Sequence, residues 1–288
     1  MKKRINIFMI IILCVLVTYT LINFTMLSWT VLTSFKNERG AWEFTDYPID
    51  LPKSFFLGNF EHVWKNFKYT ATISRNVTYI EGMFGNSLMY AIGCATATTL
   101  VCSAVAYVTA MYKFKFSAVV YGIVIFTMSF PVIGNVASEM QVVKALGLKD
   151  HMWGMFILKA NFIGGIYFMI FHACFSALPT SFSEAAKMDG ASNITVMVHI
   201  YYPLVLNTLF TVWLLYFVTY WNDYQTLLLY CVEKPTIALG LYLFKNANTA
   251  NIPEQITAAL ILFLPMLILF LIFRKRMLAN LSMDSGVK

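Results

Sequence analysis

The sequence carries long apolar runs at roughly 7–33, 86–111, 116–137, 152–177, 204–222 and 256–273. Each is near the ~20 residues that a helix needs to cross a bilayer. Inside lipid every backbone polar group must find its hydrogen bond within the protein, so such runs restrict the chain to spanning helices. The expected fold is all-α and polytopic, with six spans and residues 1–288 forming a single transmembrane domain. Composition agrees, since 59% of residues are apolar and 12% charged, against about half and a quarter in soluble domains. The first run continues from Ile7 to Leu32 without a small-residue cleavage site, which predicts a retained spanning helix and not a removed leader.

A net charge of +7 invites a nucleic-acid reading. The basic residues, however, gather as Lys2-Lys3-Arg4, Lys113 with Lys115, and Arg274-Lys275-Arg276, each beside an apolar run, which is the pattern of membrane anchors. Lysine and arginine divide evenly between the two faces, Lys159 apart. The face bearing both termini and residues 178–203 crowds its share into shorter segments near helix ends, and that predicts a cytoplasmic location. On the other face, the loop at 34–85 exceeds what a connector needs and is a candidate lid or partner surface. The outer loop at 223–255 contains Thr236 to Phe244, a candidate re-entrant or interfacial turn. The five cysteines form no C-x-x-C pair, so they read as small core residues and not as a metal or disulfide framework.

The polar gap at 178–203 has a strong local pattern. Ser181 and Glu184 have capping-box spacing after Pro179, so a helix is expected to start at Ser181. Ala185 and Ala186 keep one face small. Gly190 stands where a helix ends in a left-handed residue, and Ser192 can cap a second helix running toward Tyr202 and Pro203. The expected product is a helix–turn–helix outside the lipid.

Glu184, Ala185, Ala186, Asp189, Gly190, Ala191, Ile200 and Pro203 together resemble the EAA loop of bacterial ABC importer permeases. In that family the loop is the coupling helix, seated in a cleft of a cytoplasmic ATPase. The resemblance extends along the chain through Leu51-Pro52 with Asn59-Phe60, Asn86-Ser87-Leu88, Leu146-Gly147-Leu148 with Trp153-Gly154, Leu178-Pro179 and Trp221-Asn222-Asp223-Tyr224. These are similar to the carbohydrate-uptake class, specifically the shorter six-span partner of a heterodimeric pair. The tail from Leu281 to Lys288 is also similar, departing at Asn280 and Met283-Asp284. The resemblance implies a second permease, two copies of the ATPase, an extracytoplasmic sugar-binding protein and a sugar or oligosaccharide cargo in a cell membrane. It implies no catalysis by this chain, with ATP and magnesium held by the partner.

The sequence itself contains no G-x-x-x-x-G-K-[ST] loop for nucleotide phosphates and no H-E-x-x-H pair. His62, His151, His172 and His199 are too far apart to suggest a local metal pair. Lys159, inside the fourth run, is costly in lipid unless paired or facing water, though its stem could also carry the ammonium to the interface. With Asn161, Asn222 and Asp223 it forms the candidate substrate path, and it raises the expectation of an acidic or strongly hydrogen-bonding sugar. Competing readings are a permease for another polar solute, a non-transporting sensor or scaffold that borrows the docking loop, and a polytopic membrane enzyme.

Overall fold

A computed structural model describes residues 7–38, 42–71, 75–112, 115–130, 134–161, 165–246 and 251–283. The helices in the first part are α1 (Ile7–Ser34), α2 (Glu43–Asp46) and α3 (Gly58–Asn66), followed by the strands β1 (Lys68–Thr70) and β2 (Val77–Tyr79). Next come α4 (Ile80–Met111), α5 (Lys115–Ser129), α6 (Val136–Ala145), α7 (Met152–Lys159) and α8 (Ile166–Ser176). After them stand α9 (Ser181–Met188), α10 (Asn193–Val196), a π-helix (Met197–Tyr201), α11 (Tyr202–Leu204) and α12 (Leu206–Trp221). The last are α13 (Gln225–Tyr230), α14 (Ile237–Asn246) and α15 (Ile252–Met283). The fold is all-α, the two short strands pairing only with each other among the described residues. By length and composition α1, α4 and Ile252–Phe273 can each cross a membrane alone. The chain divides into two compact units, Met1–Lys68 with Leu241–Pro265, and Tyr69–Gly240 with Met266–Lys288.

In the first unit α1 is uncharged, and its side chains from Ile7 to Leu27 are exposed. Only Thr33 and Ser34 of α1 are buried. A helix apolar on all sides is a helix surrounded by apolar material, here lipid or another chain. Cys14 shares that exposure, so it is not the core residue the sequence suggested. The loop after α1 is knitted by its polar groups. The buried Asn59 amide donates to the carbonyls of Ser34 (2.8 Å) and Lys36 (2.9 Å), which satisfies acceptors left open where α1 ends. The buried Lys36 ammonium in turn donates to the carbonyls of Tyr47 and Pro48. Glu43 accepts from the backbone N–H groups of Asn37 and Lys53, and Glu38 from those of Phe44 and Thr45.

In the second unit α4 buries a stripe of small side chains, Ser87, Ala91, Cys94, Ala95, Thr98, Cys102 and Ala106. Small residues at this spacing let neighbouring backbones approach closely in a membrane. Large side chains meet this stripe from the partners, Phe168, Phe171 and Phe175 on α8 and Val212, Phe217 and Trp221 on α12, while α4 adds its own buried Met83, Tyr90 and Tyr107.

Several expected spans are interrupted. The run at 152–177 forms two helices, α7 and α8, not one. Gly165, with φ +54° and ψ −109°, is outside helical space and separates them, and a Cβ there would meet Met128 Cγ at 3.1 Å. The run at 116–137 is helical only to Ser129, just ahead of Pro131, which disfavours helix at the residue before it. Pro131 itself, a candidate kink, is outside the described residues. A separate helix, α6, then covers Val136–Ala145. Around Val205 the chain bends by 83° between Asn193–Leu204 and Leu206–Trp221, whereas α15 continues through Pro265. The stretch from Thr236 is the helix α14, anchored by the Ile237 N–H donating to Ser87 Oγ (2.8 Å) and by Asn86 Nδ2 donating to the Pro235 carbonyl (3.0 Å).

Candidate functional site

Between α8 and α9 the chain bends by 67°. Helix α9 does not begin with the expected capping box. Thr180 occupies the cap position with no side-chain bond, and its φ −71° and ψ −20° are already helical. A side-chain cap needs extended backbone at that position. Ser181 therefore falls inside the first turn, where its hydroxyl cannot act as the cap. The other end is as the sequence indicates. Gly190 takes φ +81°. Its N–H reaches the Lys187 carbonyl (3.0 Å), and Ala191 N–H reaches Ala186 (2.9 Å), the paired bonds of a Schellman turn. No atom lies within 4 Å of a Cβ built on Gly190, so the glycine is required by backbone angle and not by space. Ser192 then caps α10, its Oγ accepting from Thr195 N–H at 3.2 Å.

This turn presents a surface. Glu184, Ala185, Asp189 and Pro203 are exposed, while Ala186, Ala191 and Ile200 are half-buried. Met188 is 89% exposed and Ile194 71%. Neither the Glu184 nor the Asp189 carboxylate has a hydrogen-bond or ion-pair partner among the described residues, so Asp189 does not serve as a local side-chain cap. Lys187 lies with its ammonium 5.2 Å from the ring of Tyr112, whose hydroxyl donates to Asn193 Oδ1 (3.1 Å). Two carboxylates and two large apolar side chains stand free on a short rigid helix pair.

The second cluster is inside the unit, where α7 ends. Lys159 Nζ is 3.4 Å from Asp223 Oδ2, with the two side chains 26% and 16% exposed. The sequence nominated both residues, 64 positions apart, and the fold brings them together. Asp223 also accepts from the Tyr90 hydroxyl (2.8 Å), the Thr226 hydroxyl (2.6 Å) and the Thr226 N–H (3.1 Å). Thr98 Oγ1 donates to the Lys159 carbonyl (2.8 Å) and shares a hydrogen bond with the Tyr220 hydroxyl (2.8 Å). The Lys159 ammonium also stands 5.9 Å from the Tyr220 ring centroid. A charge at this depth is thus matched by an opposite charge and a hydroxyl shell, as membrane interiors demand.

Tyr90, Thr98, Tyr220 and Thr226 were not nominated. Only Thr226 had a local signal, the D-x-x-T spacing that lets a carboxylate bond the N–H three residues on. Asn161 and Asn222 do not join this cluster. Asn161 is exposed, and Asn222 Nδ2 donates to the Val218 carbonyl of its own helix. No group of three or more metal-type ligands occurs among the described residues.

The profile of a family described as binding-protein-dependent transport system inner membrane components matches residues 99–279, which include both clusters apart from Tyr90 and Thr98. The chain belongs to that family. It is therefore a multi-pass membrane transport component. A polygalacturonan/rhamnogalacturonan transport system permease of Bacillus subtilis (strain 168) is 38% identical over 108 residues, 38% of this chain and 36% of that one. A melibiose/raffinose/stachyose import permease of the same organism is 29% identical over 185 residues, 62% and 66% of the two chains. The matched stretches thus cover less than two thirds of either relative's own length. A trehalose/maltose transport system permease of Thermococcus litoralis is 26% identical over 218 residues, 74% and 78% of the two chains. The permease also shares its fold with a chain of a bacterial ABC transporter that imports the acidic polysaccharide alginate, at TM-score 0.72 and 20% identity, covering 96% and 98% of the two chains.

Proposed function

We propose that this permease is one half of the translocation path of an ATP-driven importer for a sugar or oligosaccharide. In this reading Glu184, Ala185, Ala186, Asp189, Gly190, Ala191, Ile200 and Pro203 form the docking surface for a cytoplasmic ATPase. ATP and magnesium bind that partner, and this chain performs no catalysis. A second permease, two ATPase copies and an extracytoplasmic sugar-binding protein complete the assembly. Both termini and residues 178–203 face the cytoplasm.

One observation carries the reading. A short helix pair, turned sharply out of the bundle and locked by a Schellman turn, presents exposed apolar side chains and carboxylates that have no hydrogen-bond or ion-pair partner among the described residues. Such a surface transmits force when its docked form favours one transport state by a few kcal/mol. The sugar assignment is supported by the relatives, each named for a saccharide. Lys159 and Asp223 border the path in this reading. Because each balances the other's charge, the pair suits hydroxyl-rich cargo as well as carboxylated cargo. Asn161 contributes, if at all, through its exposed amide, while the Asn222 amide is already engaged.

The test is ATP hydrolysis by the purified complex in lipid, with loaded binding protein and a panel of neutral and acidic oligosaccharides. Stimulation by one sugar class is expected, and Gly190→Pro is expected to abolish it in a complex that still assembles. An intact complex that no sugar stimulates would refute the carbohydrate assignment.

A further inference from the structure

The two ends of the 179–201 segment are joined by one side chain. Tyr201 closes the π-helix and is fully buried. Its hydroxyl donates to the Pro179 carbonyl at 3.0 Å, across 22 residues. Pro179 is the first residue beyond the turn that ends α8, where Leu178 N–H still bonds the Phe175 carbonyl (3.1 Å). The Tyr201 ring stands 5.3 Å from that of Tyr107 on α4, and Tyr107 stands 5.4 Å from Phe175 on α8. Burial raises the Tyr201 phenol above its ordinary pKa, so it remains a donor at physiological pH. A π-turn sets the residue that closes it out of α-helical phase, and such turns are frequent at functional sites. Here it delivers a phenol beneath the exposed surface of α9. Tyr201 is not one of the residues that match the EAA pattern.

Without this bridge, α9 and α10 would be tied, between two bends of 67° and 83°, chiefly through the contacts of Lys187 and Asn193 with Tyr112 at the end of α4. A push on α9 would then be absorbed by those bends. We propose that Tyr201 is a positioning residue that closes residues 179–201 into one mechanical unit, so that displacement of α9 reaches α8 and α12 together. The proposal rests on the reading that an ATPase drives this loop. Neutral hydrogen bonds contribute about 1 kcal/mol, which corresponds to roughly fivefold in an equilibrium.

The experiment is hydrogen–deuterium exchange on the reconstituted complex, with and without a non-hydrolysable ATP analogue, comparing wild type with Tyr201→Phe. Phenylalanine keeps the ring contacts and removes only the bridge. In wild type the nucleotide should alter exchange in α9, α8 and α12. In Tyr201→Phe the change at α9 should persist, while the changes in α8 and α12 fall about fivefold, as should sugar transported per ATP hydrolysed. Tyr202→Phe is the control, since it loses only a contact between its hydroxyl and Ser103 Oγ and should keep the wild-type ratio. Undiminished transmission and an unchanged transport ratio in Tyr201→Phe would overturn the proposal, even with a lowered melting temperature, because that pattern marks a packing role. If nucleotide leaves the wild-type loop unaltered, the ATPase-docking reading fails, and the proposal falls with it as a device for coupling. Exchange in the free permease then tells whether the bridge holds the loop at all: amides of 180–200 should exchange about fivefold faster in Tyr201→Phe, and equal rates would refute even that.

Discussion

Lys159→Met and Asp223→Asn should differ in cost, although each removes one member of the same pair. At 3.4 Å and an effective dielectric constant of about 20, two unit charges attract by roughly 5 kcal/mol before desolvation is subtracted. The side chains are 26% and 16% exposed, so the net loss does not exceed the lower end of the ~3–5 kcal/mol of a fully buried pair. After Lys159→Met the carboxylate keeps the Tyr90 hydroxyl and both donors of Thr226, which limits the loss to about 1 kcal/mol. After Asp223→Asn the ammonium loses its counter-charge and keeps, among the described residues, a neutral amide and the Tyr220 ring at 5.9 Å, and the expected loss is about 3 kcal/mol. Lys159→Met/Asp223→Asn should cost about 2 kcal/mol less than the sum of the single changes, the coupling expected of residues in contact. The assay is the unfolding midpoint of the purified permease in lipid nanodiscs, where the two single variants should be separated by roughly 4 °C. Equal losses, or strict additivity in the double variant, would refute the argument that the hydroxyl shell supports the carboxylate independently of the lysine.

Asn59→Ala should destabilise the loop after α1 by about 1–2 kcal/mol, because it leaves the Lys36 carbonyl without its buried donor and the Ser34 carbonyl with only the Thr257 hydroxyl at 3.4 Å. Limited proteolysis of the protein in lipid nanodiscs should then cut between 34 and 60 roughly tenfold faster than in wild type. Burial pushes the Cys231 thiol from 9.0 up to about 11, so at pH 8 it should hold roughly a hundredfold less thiolate than an unperturbed thiol. Mass spectrometry should find Cys231 unalkylated by iodoacetamide in the native permease and alkylated after denaturation.

The fold class was legible because lipid imposes one demand, and a run such as Ile7–Ser34 can satisfy it only as a helix. The turn at Gly190 was legible for a similarly local reason. Gly190 and Ser192 act through their own backbone angles and through partners within five residues. The start of α9 misled because the S-x-x-E spacing says nothing about whether Thr180 is already helical. The break between α7 and α8 was hidden because the run at 152–177 stays apolar on average despite Lys159 and Asn161, and hydropathy does not register the backbone angles of Gly165. The polar cluster at Asp223 could be named only by its charges. Tyr90, Thr98 and Tyr220 enter it through the packing of α4 against α7 and α12, and no window of sequence contains that packing.

The contrast between α1 and the α7–α8 pair also orders how this chain is made. Helix α1 carries no charge over 28 residues, long enough to cross a bilayer, so it can leave the insertion machinery alone and be stable at once. Helices α7 and α8, with 8 and 11 residues, reach only about 12 and 16 Å at 1.5 Å per residue. Neither can traverse ~30 Å of hydrocarbon by itself, and Lys159 forbids the first from lodging there unpaired. Its counter-ion, Asp223, emerges from the ribosome 64 residues later. During synthesis Lys159 is therefore made well before the carboxylate that balances it.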